Sequence, residues 1–156
     1  MSPSYFKTPE CDHSGRVLWI PPQFPGHNLE RLAEWHNRVG RAPHLIWDAE
    51  TGEIIEMIAP GHRNALFSPE DPLSEMYAIE VVPQESEPFT GSPHLSVPLA
   101  LCEGLCVPRS WPLGPPESYA RYGSRFTKPG HYGAEQVSSK LGAIGPVDTN
   151  AFRRTK

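Results

Sequence analysis

Residues 42–66 read APHLIWDAETGEIIEMIAPGHRNAL, and the middle of this stretch decides the fold. Pro43–Asp48 (PHLIWD) is apolar and rich in strand-favouring side chains. Glu50-Thr51-Gly52 supplies a turn, and Glu53–Ile58 (EIIEMI) returns as a second strand of similar character. Two such runs joined by a short turn that ends in glycine predict a β-hairpin.

Further elements appear on either side. Arg16–Ile20 (RVLWI) reads as a buried strand ended by Pro21-Pro22. Asn28 is a good N-cap for a helix in which Leu29, Leu32, Ala33 and His36 share one face, and Gly40 is a suitable stop. After the hairpin comes a long loop over 59–76, then a strand at Tyr77–Val82 (YAIEVV). A second helix is expected over 97–107 (VPLALCEGLCV), capped by Ser96, with Pro98 tolerated in the first turn. A short helix is expected at 117–125, and the last thirty residues read as mostly irregular. Strand, helix, hairpin, strand and helix in this order predict an α/β (α+β) fold, a mixed central sheet flanked by helices and joined by long Pro-rich loops. The expected organisation is an extended N-terminal arm over 1–15, one domain over 16–150 and a solvated basic tail over 151–156.

Composition narrows the function classes. The 156 residues include 19 prolines and 13 glycines, too few for a disordered chain but enough for many rigid loops. A net charge of −4, with Arg153, Arg154 and Lys156 as the one basic cluster, argues against general nucleic-acid binding. No apolar stretch is long enough to cross a bilayer, so no membrane insertion is expected. The first fifteen residues lack a charged n-region and an apolar run, so no signal peptide is expected and synthesis in the cytoplasm is. Cys11, Cys102 and Cys106 make an odd number and no disulfide framework. The last two, four apart, are expected to share a helix face as buried free thiols.

Three segments in this order carry a resemblance. The stretch 42–66, the strand YAIEVV and the segment SYARYGSRFTKPGHYGAEQV at 118–137 are together similar to type 2 N-acetylmuramoyl-L-alanine amidases and the peptidoglycan recognition proteins that share their fold. The resemblance covers roughly 16–150. It implies zinc-assisted hydrolysis of the amide between muramic acid and the stem peptide, with three protein ligands and one open position on the metal. This chain departs from that pattern. Ile20 and Pro21 stand where the first strand of the family ends in His, and Ala134 stands where its second G-H motif places a ligand. The final stretch, SSKLGAIGPVDTNAF, keeps Asp148 but has neither His nor Cys. The resemblance therefore implies an amidase-like domain without its metal ligands, so that no metal site and no cofactor is expected. The alternative is a zinc relocated among the seven histidines, with His27 and His131 as one pairing.

Several residues are candidates for a remnant groove, each with a structural alternative. His44 matches the strand-opening His of the family, or is a partly buried histidine bonded to backbone. Glu80 matches the Glu of I-E-V-V and so a general base, or is a buried carboxylate paired with Arg or backbone. His131 and Tyr132 line the groove, or fix a loop. His62 and Arg63, with Asn64, hold a stem-peptide carboxylate, or are solvated. The four tryptophans stack on sugars or pack the core. The expected function is that of a non-catalytic interaction module. Its partners would be other protein subunits, as in a phage tail or capsid surface, or peptidoglycan. The alternative is an active endolysin-like, zinc-dependent amidase.

Overall fold

The computed structural model describes residues 6–24, 28–82, 88–116, 126–138 and 140–156. The expected helix at 117–125 and the candidate ligand His27 lie outside them. Five strands, β1 (Arg16–Ile20), β2 (Leu45–Asp48), β3 (Ile54–Glu56), β4 (Tyr77–Val82) and β5 (Gly130–Gly133), form one mixed sheet in the order β3-β2-β4-β1-β5. Strands β2, β4, β1 and β5 are parallel, and only β3 is antiparallel, as the return limb of the expected hairpin.

The inner strands are apolar on both faces because both faces are covered. Helix α1 (Leu29–Val39) links β1 to β2, and α2 (Ser96–Gly104) lies between β4 and β5 in the chain. Leu29, Leu32 and Ala33 of α1 pack with Ile46 and Val82, whereas Leu95, Leu99 and Cys102 pack with Trp19, Trp47 and Ile79 on the opposite face. The two crossovers run in opposite directions across the sheet and on opposite faces. They therefore share one hand, as parallel connections do.

Helix α1 forms as its sequence predicts. Asn28 accepts hydrogen bonds from the Glu30 and Arg31 amides, and Gly40 closes the helix at φ 73°. Helix α2 differs in its details. It begins at Ser96 without a side-chain cap and ends at Gly104, so Cys102 is buried and Cys106 lies beyond the helix in solvent. The expected shared face for these thiols is not formed.

The C-terminal region is more regular than its composition predicts. β5 pairs along β1, α3 (Ala134–Val137) follows it, and α4 (Thr149–Arg154) closes the chain. Asp148 caps α4, and Phe152 is fully buried against Trp19, Trp111 and His131. The expected basic tail is thus an anchored helix whose arginines face outward. Arg109 fastens it by donating to the carbonyls of Arg153 and Thr155.

Gly130 opens β5 at φ 141°, a conformation that disfavours any side chain, and a Cβ there would meet the Ser110 carbonyl oxygen and the Pro112 ring at 2.7 Å. Gly130→Ala is expected to lower stability by about 2–3 kcal/mol, read as a shift in the urea midpoint with the slope unchanged.

Candidate functional site

β4 is the central strand, with β2 on one side and β1 on the other. Its Glu80 aligns with Ile46 and Ile20, on the face that α1 covers. A carboxylate there is costly unless it is paired. Its partner is His36 on α1, with Nε2 2.6 Å from Glu80 Oε1 and both side chains fully buried. The Gln23 amide donates to Glu80 Oε2 at 2.6 Å. On its far side, His36 Nδ1 donates to the Arg41 carbonyl at 2.7 Å. The short His36–Glu80 bond therefore holds a single proton and the pair carries no net charge.

Above this pair lies an open cleft of about 530 Å³ between α1, the 66–71 loop and Lys140-Leu141. Trp35, Phe67 and Leu66 supply apolar walls, Arg41 and Lys140 supply positive charge, and Gln23, Ser68 and Asp71 supply polar groups. Trp35 stacks on Phe24 with centroids 5.7 Å apart, a flat aromatic surface. Gln23 is held by bonds from its Nε2 to the Pro21 and Leu141 carbonyls. An aromatic platform beside cations and amide groups suits a ligand with both an apolar face and an acid group.

Of the expected site residues only Glu80 lies beneath this cleft, with His131 on the far face of the sheet and His44 and His62 at the entry to β2. His131 is level with Val17 on the α2 face of the sheet, while Glu80 is level with Ile20 on the other face, with β1 between them. His131 Nδ1 accepts from Trp19 Nε1 at 2.9 Å. Its Nε2 is buried and, among the described residues, has no hydrogen-bond partner, like Nε1 of Trp47 and of Trp111. Tyr132 faces the other way and donates its hydroxyl to the Lys128 carbonyl. His44 sits at the entry to β2, fully buried, stacked on Tyr77 at 4.6 Å. It donates from Nε2 to the His62 carbonyl and accepts at Nδ1 from the Ala78 amide. His62 and Arg63 are not free in solvent. His62 Nδ1 bonds the Thr8 carbonyl, and the Arg63 guanidinium bonds Ser74 and Glu75. His36 was legible only as an apolar-face residue of α1. The signal for its role is a histidine on the buried stripe of a helix that must cross a strand carrying a buried acid.

The positions of the implied zinc ligands do not fit a metal. Ile20 and Ala134 are both fully buried in one apolar cluster with Leu18, Ala78 and Tyr132. Neither side chain has an electron pair to give. Asp148 uses its carboxylate to cap α4. Among the described residues, no three His, Cys, Asp or Glu side chains are grouped to hold an ion. Among them too, no helix is long and apolar enough to cross a membrane.

No protein-family model matches this chain, and no curated protein and no solved structure shows significant similarity to it.

Removing one member of the buried pair strands the other. Glu80→Ala is expected to cost about 3–5 kcal/mol of stability. The double variant His36→Leu/Glu80→Leu should cost clearly less than the two single replacements added together. Chemical denaturation of the four proteins checks this cycle.

Burial also pushes His44 and His131 down to about 3, from an ordinary 6.5. The unfolded chain thus binds protons that the folded one refuses. The stability these neutral rings carry is complete above pH 6.5 and drains away as pH falls from 6.5 toward about 3. The slope is at most about 1.4 kcal/mol per pH unit for each ring. Denaturation midpoints measured across this window should fall steeply, and His131→Phe should make the fall shallower.

Proposed function

We propose that this chain is a non-catalytic, amidase-like binding module, and that the cleft beside α1 takes a fragment of peptidoglycan. The observation that carries this reading is the burial of Ile20 and Ala134 among apolar side chains. The two positions at which the sequence resemblance places metal ligands both belong to one apolar cluster, and neither side chain can bind a metal. An apolar filling at both positions supports the non-catalytic part of this reading. The cleft offers what recognition of a cell-wall fragment needs. Trp35 presents a ring for a sugar face, and Arg41 and Lys140 present cations for the carboxylate of a stem peptide.

Contact with other subunits, as on a phage tail or capsid surface, is a second reading. It is supported by Val97 and Leu101, large apolar side chains one turn apart on α2 that remain in solvent.

Two measurements on the purified chain test the proposal. Elemental analysis after incubation with zinc should give a content far below the stoichiometric one. About one tightly held zinc per chain, with release of stem peptides from walls, would overturn the non-catalytic reading in favour of an active amidase. Sedimentation with insoluble peptidoglycan should show saturable binding, weakened about tenfold by Trp35→Ala and by Arg41→Ala. No sedimentation with walls from any tested host would remove the peptidoglycan ligand and leave the subunit-contact reading.

A further inference from the structure

The N-terminal arm is docked by directional bonds. The Thr8 hydroxyl donates to the Arg63 carbonyl, the Arg63 amide to Pro9 and the Cys11 amide to Gly61. Glu10 and His62 form an isolated antiparallel bridge. At the end of this strap His13 is buried, and both of its ring nitrogens are engaged across the chain. Nδ1 lies 2.8 Å from the Glu75 carbonyl oxygen, which can only accept, and Nε2 lies 3.0 Å from the Gly61 amide, which can only donate. Only the neutral ring with its hydrogen on Nδ1 satisfies both.

We propose that residues 6–13 are an acid-released strap, in which a proton taken up by His13 Nε2 turns an acceptor into a donor facing the Gly61 N–H and frees the arm from the 60–63 loop. The strap does not depend on what the cleft binds. Protonation of His13 replaces one hydrogen bond by two donors pointing at each other in a buried place, a loss of the bond and a repulsion together.

The surroundings give the new charge little help. On the arm itself the ring faces Cys11 Sγ at 3.8 Å, with Asp12 and Arg16 nearby in sequence. From the 72–75 turn it faces Glu75, whose carboxylate is already shared by Arg16 and Arg63. From the entry to β2 it meets the edge of the neutral His44 ring at 4.9 Å, and from β4 the Tyr77 ring at 5.5 Å. His62 stands on the loop opposite. Desolvation accordingly holds His13 below its ordinary value, with the Glu75 carbonyl and Asp12 opposing. His13 in the released arm regains the ordinary value. Docking is therefore complete above about pH 6.5 and weakens as pH falls below it.

The histidine on the facing loop is engaged differently. His62 Nδ1 only donates, to the Thr8 carbonyl, and a protonated ring keeps that bond. His44 also accepts an amide, but it lies deeper in the fold and is held down to about 3. Of the two rings here that accept a backbone amide, His13 is the one at the edge of the fold, on the arm itself.

Amide hydrogen exchange by NMR tests the strap on the full chain, corrected for intrinsic rates, between about pH 7.5 and about pH 5. The reporters are the amides of Gly61, Cys11 and Arg63. Their protection should fall by up to about tenfold per pH unit below the ordinary histidine value, while the amides of β1 and β4 stay protected. In His13→Gln, a side chain that cannot take the proton, the reporter amides should lose this pH dependence whatever their starting protection. If that variant leaves the arm open at every pH, the wild-type ring decides, because the His13 resonances must titrate together with the loss of protection. Reporter protection that is unchanged while His13 titrates overturns the proposal, as does loss of protection simultaneous with β1 and β4.

Discussion

The structure is organised around one carboxylate placed where a carboxylate is least welcome. Glu80 lies in the central strand of a sheet covered on both faces, and everything near it answers that cost. α1 presents His36 where its other positions present Leu29, Leu32 and Ala33. The chain leaving β1 turns so that the Gln23 amide reaches the second oxygen. The segment after α1 turns back so that the Arg41 carbonyl holds the far side of the imidazole. Three separate pieces of chain are thereby tied to the Glu80–His36 pair. The apolar packing on this face is correspondingly divided, with one cluster under α1 and another under α3 and the 66–73 loop. The open cleft lies above the polar seam. A ligand site is thus placed where the core is interrupted, with a rigid and neutral floor.

The opposite face has no such interruption. Trp19, Trp47, Phe89, Trp111, His131 and Phe152 pack as one aromatic group, with Trp19 stacked on Phe89 at 4.8 Å. Burial of these rings contributes apolar stabilisation on this face. It also leaves Trp19 and Trp47 fully buried and unavailable to a sugar, whereas Trp35 and Trp111 are half-buried.

How far the sequence revealed this arrangement depended on the type of signal. The hairpin, β1, β4 and α1 were legible because their patterns are local: an apolar run, a glycine turn, an asparagine cap. β5 was hidden because GHYG has little strand preference of its own. It is a strand because β1 offers an unpaired edge and because Gly130 tolerates the approach of Ser110 and Pro112. α4 was hidden behind its charge, since three basic residues masked the one phenylalanine that anchors it. At the site, Glu80 was readable as a buried acid needing a partner, but His36 was not readable as that partner. The two are 44 residues apart, and only the crossover brings them together. His44, His62 and Arg63 looked available because a sequence shows donors and acceptors without showing which of them the backbone has already taken.

That last point separates a histidine that builds a fold from one that serves a metal. A metal ligand must keep one ring nitrogen with a free electron pair. In His13 and His44 one nitrogen gives a hydrogen to a carbonyl and the other spends its electron pair on a backbone amide. In His36 one nitrogen is tied to a carbonyl and the other to Glu80. Among the buried histidines of the described residues, His131 alone has a ring nitrogen with no partner, and it is the instructive case. Because the Trp19 indole donates to Nδ1, the electron pair of this neutral ring is used there, and the unpartnered Nε2 carries the hydrogen. What points away from Trp19 is a donor, not a ligand. His13 and His44 thus act as two-ended cross-ties between segments distant in sequence. Their neutrality, which the cross-ties require, makes the fold sensitive to acid.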